Sequence, residues 1–173
     1  MPSRTVGSTR LNRISRQVSK RASRAMHLRM DELFDLLEED VDQVEVSVTL
    51  AEMLALRATP KTIVAAPGSD KVLEFVGAIL IYEAGAAAFT LSGDDDLRLL
   101  YTGAGGAAVS GVLDTAGFID QATDQIRSVI PVSAAMVANS PIVLHNIGSA
   151  EWTVGTGAEF RVICTYRTHV LNL

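Results

Sequence analysis

Apolar and polar residues alternate with a period of two at both ends of the region that follows residue 43. Val44, Val46, Val48 and Leu50 alternate with Glu45, Ser47 and Thr49. Near the C-terminus, Phe160, Val162, Cys164, Tyr166 and Val170 share one side, and Arg161, Thr165, Arg167 and His169 the other. Strand side chains point alternately to two faces, so both runs read as half-buried strands. Between them the pattern predicts strands at Thr62–Ala66, Val72–Glu83, Ala87–Leu91, Leu97–Tyr101, Ala107–Leu113, Gln125–Val132 and Ile142–Ile147, and the C-terminal run forms a separate final strand, Phe160–Leu171. Turn chemistry separates them: Thr59-Pro60, Pro67-Gly68-Ser69-Asp70, Ser92-Gly93-Asp94, Gly103-Ala104-Gly105-Gly106, Ser140-Pro141 and Gly155-Thr156-Gly157. Many short strands with regular turns predict a mainly β protein, an antiparallel β-sandwich or jelly roll. Helix is expected in this part only around Leu50–Leu56 and Ala116–Ile126. The βαβ rhythm of a Rossmann-type sheet is missing.

A chain of 173 residues is long enough for one domain with a sizeable core. Its single cysteine, Cys164, allows neither an internal disulfide nor a multi-cysteine zinc site. The most apolar stretch, Val72 to Phe89, is interrupted by Glu74, Glu83 and glycines, so no membrane helix is expected. A mean hydropathy of +0.25 is high for a soluble monomer and points to apolar surface hidden against partners.

Charge divides the chain sharply. Residues 1–30 hold Arg4, Arg10, Arg13, Arg16, Lys20, Arg21, Arg24 and Arg29 and no acid. Residues 31–45 hold Asp31, Glu32, Asp35, Glu38, Glu39, Asp40, Asp42 and Glu45 and no base. Block charge of this kind marks an interaction tail. A secretory signal is not expected, because no apolar core follows the basic start; a transit peptide fits the composition but not the acidic block behind it. Leu11, Ile14, Val18, Ala22 and Ala25 recur at helical spacing, so residues 1–43 read as a basic then acidic arm, partly helical or extended, ahead of a β-domain at 44–173.

The arm is the feature with physical reach. Its charges suit the phosphates of duplex nucleic acid or an acidic protein surface. It has no aromatic residue on which bases could stack, which argues against single-strand recognition. Because apolar stripe and charge coincide, docking onto another protein is the favoured reading, with Arg10, Arg13, Arg16, Lys20 and Arg24 as charged contacts and Leu11, Ile14 and Val18 as the apolar anchor. Pairing with the acidic block, within or between subunits, is a third possibility.

The search for chemistry returns little. The loop Gly103–Gly106 lacks the Lys-Ser/Thr of a phosphate cradle and reads as a turn. Asp94-Asp95-Asp96 lacks the alternating ligands of a calcium loop and reads as a solvated turn, with a cation at an oligomer axis as the alternative. His27, His145 and His169 have no metal spacing. Cys164 lies on the core side of its strand, where a thiol is inert. No catalytic residue, metal or cofactor is expected, and the chain is read as non-enzymatic. A carbohydrate-binding tail module is a further alternative, weakened by the lone Trp152 and the few tyrosines, Tyr82, Tyr101 and Tyr166.

The body resembles a group of small tailed-bacteriophage virion proteins. The resemblance runs through "VSVTLAEMLALRATPKTIVAAPGSDKVLEFVGAILIYEAGAAAF", "LRLLYTGAGGAAVSGVL", "SPIVLHNIG" and "FRVICTYRTHVL", roughly three quarters of the chain. It implies a jelly-roll scaffold in a capsid decoration (cement) protein, commonly a trimer, located on the phage head and assembled in the host cytoplasm. Its implied partners are further copies of itself and the major capsid protein or another virion protein. A neck, tail or head-fibre component, or a nucleic-acid-binding accessory protein using the basic arm, is the alternative. The long basic arm departs from the compact pattern. Small residues such as Ala84–Ala88 suit close approach, between subunits or within a tight core.

Overall fold

Strand β9, Glu159–Val170, lies at the centre of the body because two long strands find their register on it. In the computed structural model, which describes residues 41–91 and 96–171, β1 (Val41–Val48) pairs antiparallel with one side of β9. Strand β3 (Lys71–Glu83) pairs antiparallel with the other, and β6 (Gln125–Val129) completes a four-stranded sheet in the order β1-β9-β3-β6. A three-stranded antiparallel sheet, β2-β7-β5, is built from Lys61–Val64, Ile142–Asn146 and Leu97–Tyr101. Strands β4 (Phe89–Thr90) and β8 (Thr153–Val154) form a short ribbon. The protein is therefore mainly β with antiparallel sheets, as its alternation predicts. The strand starts at Val41, so its first three residues fall on the arm's side of the division expected at 43/44. The anchor residues Arg10, Leu11, Arg13, Ile14, Arg16, Val18, Lys20 and Arg24 lie outside the described residues.

The two larger sheets bury a common core. From the four-stranded sheet come Leu73, Phe75, Ala78, Leu80, Tyr82, Phe160, Val162 and Cys164; from the other, Ile63, Leu97, Leu99, Ile142 and Leu144. The Tyr101 hydroxyl on β5 donates to the carbonyl of Leu73 on β3, tying the sheets by a polar bond inside the apolar layer. An aromatic chain closes one end. Phe160 meets Phe118, Phe118 meets Tyr82, Tyr82 meets Phe89, and Phe89 meets Trp152, with ring centroids 5.9–6.2 Å apart in tilted or edge-on geometry.

Strand β3 changes phase partway along. Phe75 lies opposite Tyr166 and Gly77 opposite Thr165, so Val76 is an extra residue with no partner of its own. Before this bulge the odd residues Leu73 and Phe75 point inward; after it the even residues Ala78, Leu80 and Tyr82 do. One inserted residue thus keeps both halves of a 13-residue strand packed on the same core.

Three expectations are corrected. The run Ala107–Leu113 forms only isolated bridges, at Ala108, Ser110 and Leu113. Gly111 and the division of its backbone bonds between β5, at Leu97, Leu99 and Tyr101, and the segment at Ile130 and Val132 break any continuous ladder. Helix does not form over Ala116–Ile126: residues 116–120 are turns and β6 begins at Gln125, because burial of Phe118 and Ile119 pins the segment to the core. The helix near Leu50 is one turn, α1 (Leu50–Met53), capped by Thr49 and Glu52, each side chain taking the other's backbone N–H. Of the small residues in Ala84–Ala88, Gly85 is required by close approach within the chain. A Cβ on Gly85 would come within 2.2 Å of the Thr156 carbonyl oxygen.

Candidate interaction surface

The outward face of the four-stranded sheet departs from the rule that one side of such a sheet is core and the other polar. Inward phase on β9 belongs to Phe160, Val162 and Cys164, so Arg161, Ile163, Thr165, Arg167 and His169 face out. Beyond the bulge of β3, Gly77, Ile79, Ile81 and Glu83 face out, and on β6 Ile126 and Ser128, followed by Ile130. Cross-strand register gathers the isoleucines. Ile79 lies opposite Ile163, and Ile81 is opposite both Arg161 and Ile126. Ile79, Ile126 and Ile130 are 43%, 65% and 71% exposed, values far from those of a finished core. Gly77, Ser128 and Thr165, with small or short side chains, leave a groove of about 330 Å³ walled by Ile79, Ile130 and Ile163.

Charge borders this apolar field at both ends. At one end Arg161 bridges Glu45 at 2.9 Å and Glu83 at 2.5 Å, with Glu159 alongside on the same face. At the other, Glu74 accepts from His169 at 2.8 Å and from Arg167 at 3.4 Å. Those two bonds, that to His169 foremost, hold the Glu74 carboxyl below the usual carboxylate range. Glu74 and Arg167 also line a second cleft of about 300 Å³, whose far wall is Pro131, Val132 and the half-exposed Met136.

Elsewhere the chemistry-bearing residues serve structure. Cys164 is fully buried, and burial alone pushes its thiol up to about 12, which suits a core residue. His145 is buried on β7, its Nε2 3.1 Å from the Arg57 carbonyl oxygen, and Glu151 accepts from the backbone N–H groups of Arg57 and Ala58. These residues, with Ala104, line a hollow of about 370 Å³. His169 sits on the sheet's outer face beside Glu74, while His27 lies outside the described residues. Among the described residues no group of three or more His, Cys, Asp or Glu side chains gathers around a common point. Asp94 and Asp95 lie outside the described residues, and Asp96 enters β5. Gly103–Gly106 is a tight turn. A Cβ on Gly106 would overlap the Tyr101 carbonyl oxygen at 1.5 Å, so close backbone approach and not phosphate binding explains this glycine.

The isoleucine face is the surface that strand-by-strand reading misses. Its signal is present in the unbroken apolar run Gly77–Tyr82 and in Val162-Ile163-Cys164. A strand covered on both faces reads as a continuous apolar run, whereas alternation marks a strand with one wet face. No family model matches the chain, and neither the curated proteins nor the solved structures contain a significant match.

Proposed function

We propose that the chain is a non-enzymatic structural protein of a virion, acting as a capsid decoration (cement) protein of a tailed bacteriophage. In this reading a rigid β-body stabilises the head while the cationic segment around Arg10–Arg24 grips the shell. The observation that carries the structural role is the isoleucine face. A well-packed antiparallel body that leaves Ile79, Ile126 and Ile130 in solvent is made to be covered by another surface. The resemblance of the strand–turn cassettes to small virion proteins supports the specific setting, and the block of eight uncompensated positive charges supports an anchoring arm.

The test is binding of the full chain to purified capsid shells, before and after Arg10, Arg13, Arg16, Lys20 and Arg24 are together replaced by Ser. A loss of tenfold or more in shell affinity, with an unchanged circular dichroism spectrum, is expected. Unchanged affinity refutes the arm as anchor. Gel shifts with random duplex DNA address the competing use of the same charges. Binding that weakens steeply with salt, alongside no shell binding, would move the protein to the nucleic-acid class.

A further inference from the structure

We infer that the cleft beside the first half of β3 accepts an extended peptide segment of a partner protein as an added strand. Strand β6 pairs with β3 from Ala78 to Tyr82, so among the described residues no strand lies along that side of Lys71–Val76. At Ile130 the chain changes partner: the Ile130 carbonyl accepts from Gly111 and the Val132 N–H donates to Val109. It rejoins β3 at Asn139, whose N–H donates to the Lys71 carbonyl at 2.8 Å. Ten steps of chain separate Val129 from Asn139, where seven separate Ala78 from Lys71, so the segment bows away and opens the cleft of about 300 Å³. The lining shows where this space lies. Phe75, Tyr101 and Val109 are core residues, whereas Glu74 and Arg167 belong to the outer face. A space that meets residues of both faces lies in the plane of the sheet, where a neighbouring strand would run.

The backbone specifies the occupant. The Asp70 carbonyl accepts from the Leu171 N–H on the β9 side, and the Lys71 carbonyl accepts from Asn139 on the other. Peptide groups of a strand alternate between its two sides, so those of Leu73 and Phe75 also turn to the open side. The Tyr101 hydroxyl covers the Leu73 carbonyl, while Phe75, just before the bulge, meets the cleft. Main-chain groups lying in the sheet plane are matched by a second extended backbone, which neither a helix nor a flat apolar surface offers. The walls select the side chains. Val76, Val109, Pro131, Val132 and Met136 are apolar, and Glu74 is already paired with Arg167 and His169, so charge does not choose the partner. An uncharged segment of about four residues spans about 13 Å and matches Leu73–Val76, with apolar side chains toward Tyr101 and Val109 and small polar ones toward the outer face. This contact is additional to the anchoring of the chain by its basic arm and does not rest on it.

The probe is a fluorescein-labelled, amidated pentapeptide of alternating threonine and valine, titrated with the full chain and followed by fluorescence anisotropy. Saturable binding is expected. The same peptide with every backbone amide N-methylated keeps its side chains but loses its strand-pairing donors, and should bind about tenfold more weakly or not at all. Ser133→Trp fills the cleft from its exposed bank without removing a core atom, and should weaken binding of the unmethylated probe by about the same factor. Amide hydrogen exchange on the unaltered chain keeps the test intact if that variant fails to fold: exchange at Phe75 should slow about tenfold when the probe saturates. No saturable binding, equal binding of the methylated peptide, an unmoved exchange rate at Phe75, or full affinity in folded Ser133→Trp overturns the inference. The titration contains no capsid shells and the shell assay contains no probe, so failure of one reading is distinguishable from failure of the other.

Discussion

Replacing Phe118 tests the packing argument at the place where sequence and structure differ most. Phe118 sits on an irregular segment, is fully buried, and touches Tyr82 and Phe160 edge-on at 6.2 and 6.0 Å. The Arg127 guanidinium stacks over the same ring at 5.4 Å and donates to the Gly117 carbonyl at 2.7 Å. Phe118→Ala removes the buried ring and leaves a cavity, at a cost of about 3–5 kcal/mol for such a truncation. Phe118→Leu retains most of the apolar volume but forfeits two aromatic pairs, each worth about 1 kcal/mol, so about 2 kcal/mol is expected. The Arg127 contact adds about 1 kcal/mol at most, because the guanidinium remains partly solvated. Urea unfolding of the full chain, followed by circular dichroism at one protein concentration, measures both. The midpoint should fall in the order parent, Leu, Ala, with the slope unchanged. An Ala variant within about 1 kcal/mol of the parent would show that residues 115–119 are not a core element, and the account of this end of the fold would be wrong.

Other perturbations report on different layers. Gly106→Ala forces a Cβ against the Tyr101 carbonyl and should cost about 2–3 kcal/mol in the same unfolding assay, whereas alanine at Gly103, which faces open space, should be near neutral. Thr49→Ala removes the cap of α1 and should cost about 1 kcal/mol. Glu52 is held down to about 2, chiefly by its hydrogen bond from Lys61 at 2.5 Å and then by the Thr49 N–H. A depressed carboxylate contributes stability that is fully present above its unfolded pKa near 4.5 and is lost as pH falls toward 2, so Glu52→Gln should flatten the fall of melting temperature between those limits. Cys164 should resist a thiol-specific reagent at pH 8 in the native protein and react at the rate of global unfolding; fast labelling of the native state would contradict its burial.

Much of the fold was legible because period-two alternation is a direct consequence of strand geometry. The Val44–Val48 and Phe160–Val170 patterns lie in the strands they predict, β1 and β9, and these are neighbours in register over eight residue pairs. Where apolar residues on both faces replaced alternation, the pattern located the strand but not the meaning of its outer side. Ile163 was hidden among Arg161, Thr165 and Arg167, and its importance appears only once Ile79 is placed opposite it. Pairing partners are long-range facts, and local periodicity does not encode them. The segment 107–120 misled for a related reason. Val109, Phe118 and Ile119 carry apolar spacing compatible with strand or helix, but their burial comes from contacts with distant elements, and the backbone bends to deliver them. The sequence signal for the isoleucine face was the loss of alternation itself, at Gly77–Tyr82.

The unpaired Val76 also governs how this protein tolerates change in length. Deleting or adding one residue elsewhere in Lys71–Glu83 would rotate part of the strand by half a turn, sending leucines to water and isoleucines to the interior. Removing Val76 alone would leave Phe75 inward, Gly77 outward and Ala78 inward, with a straighter strand. Indels in this stretch of the chain therefore have a single harmless address, and a library of one-residue deletions should return its folded survivors there.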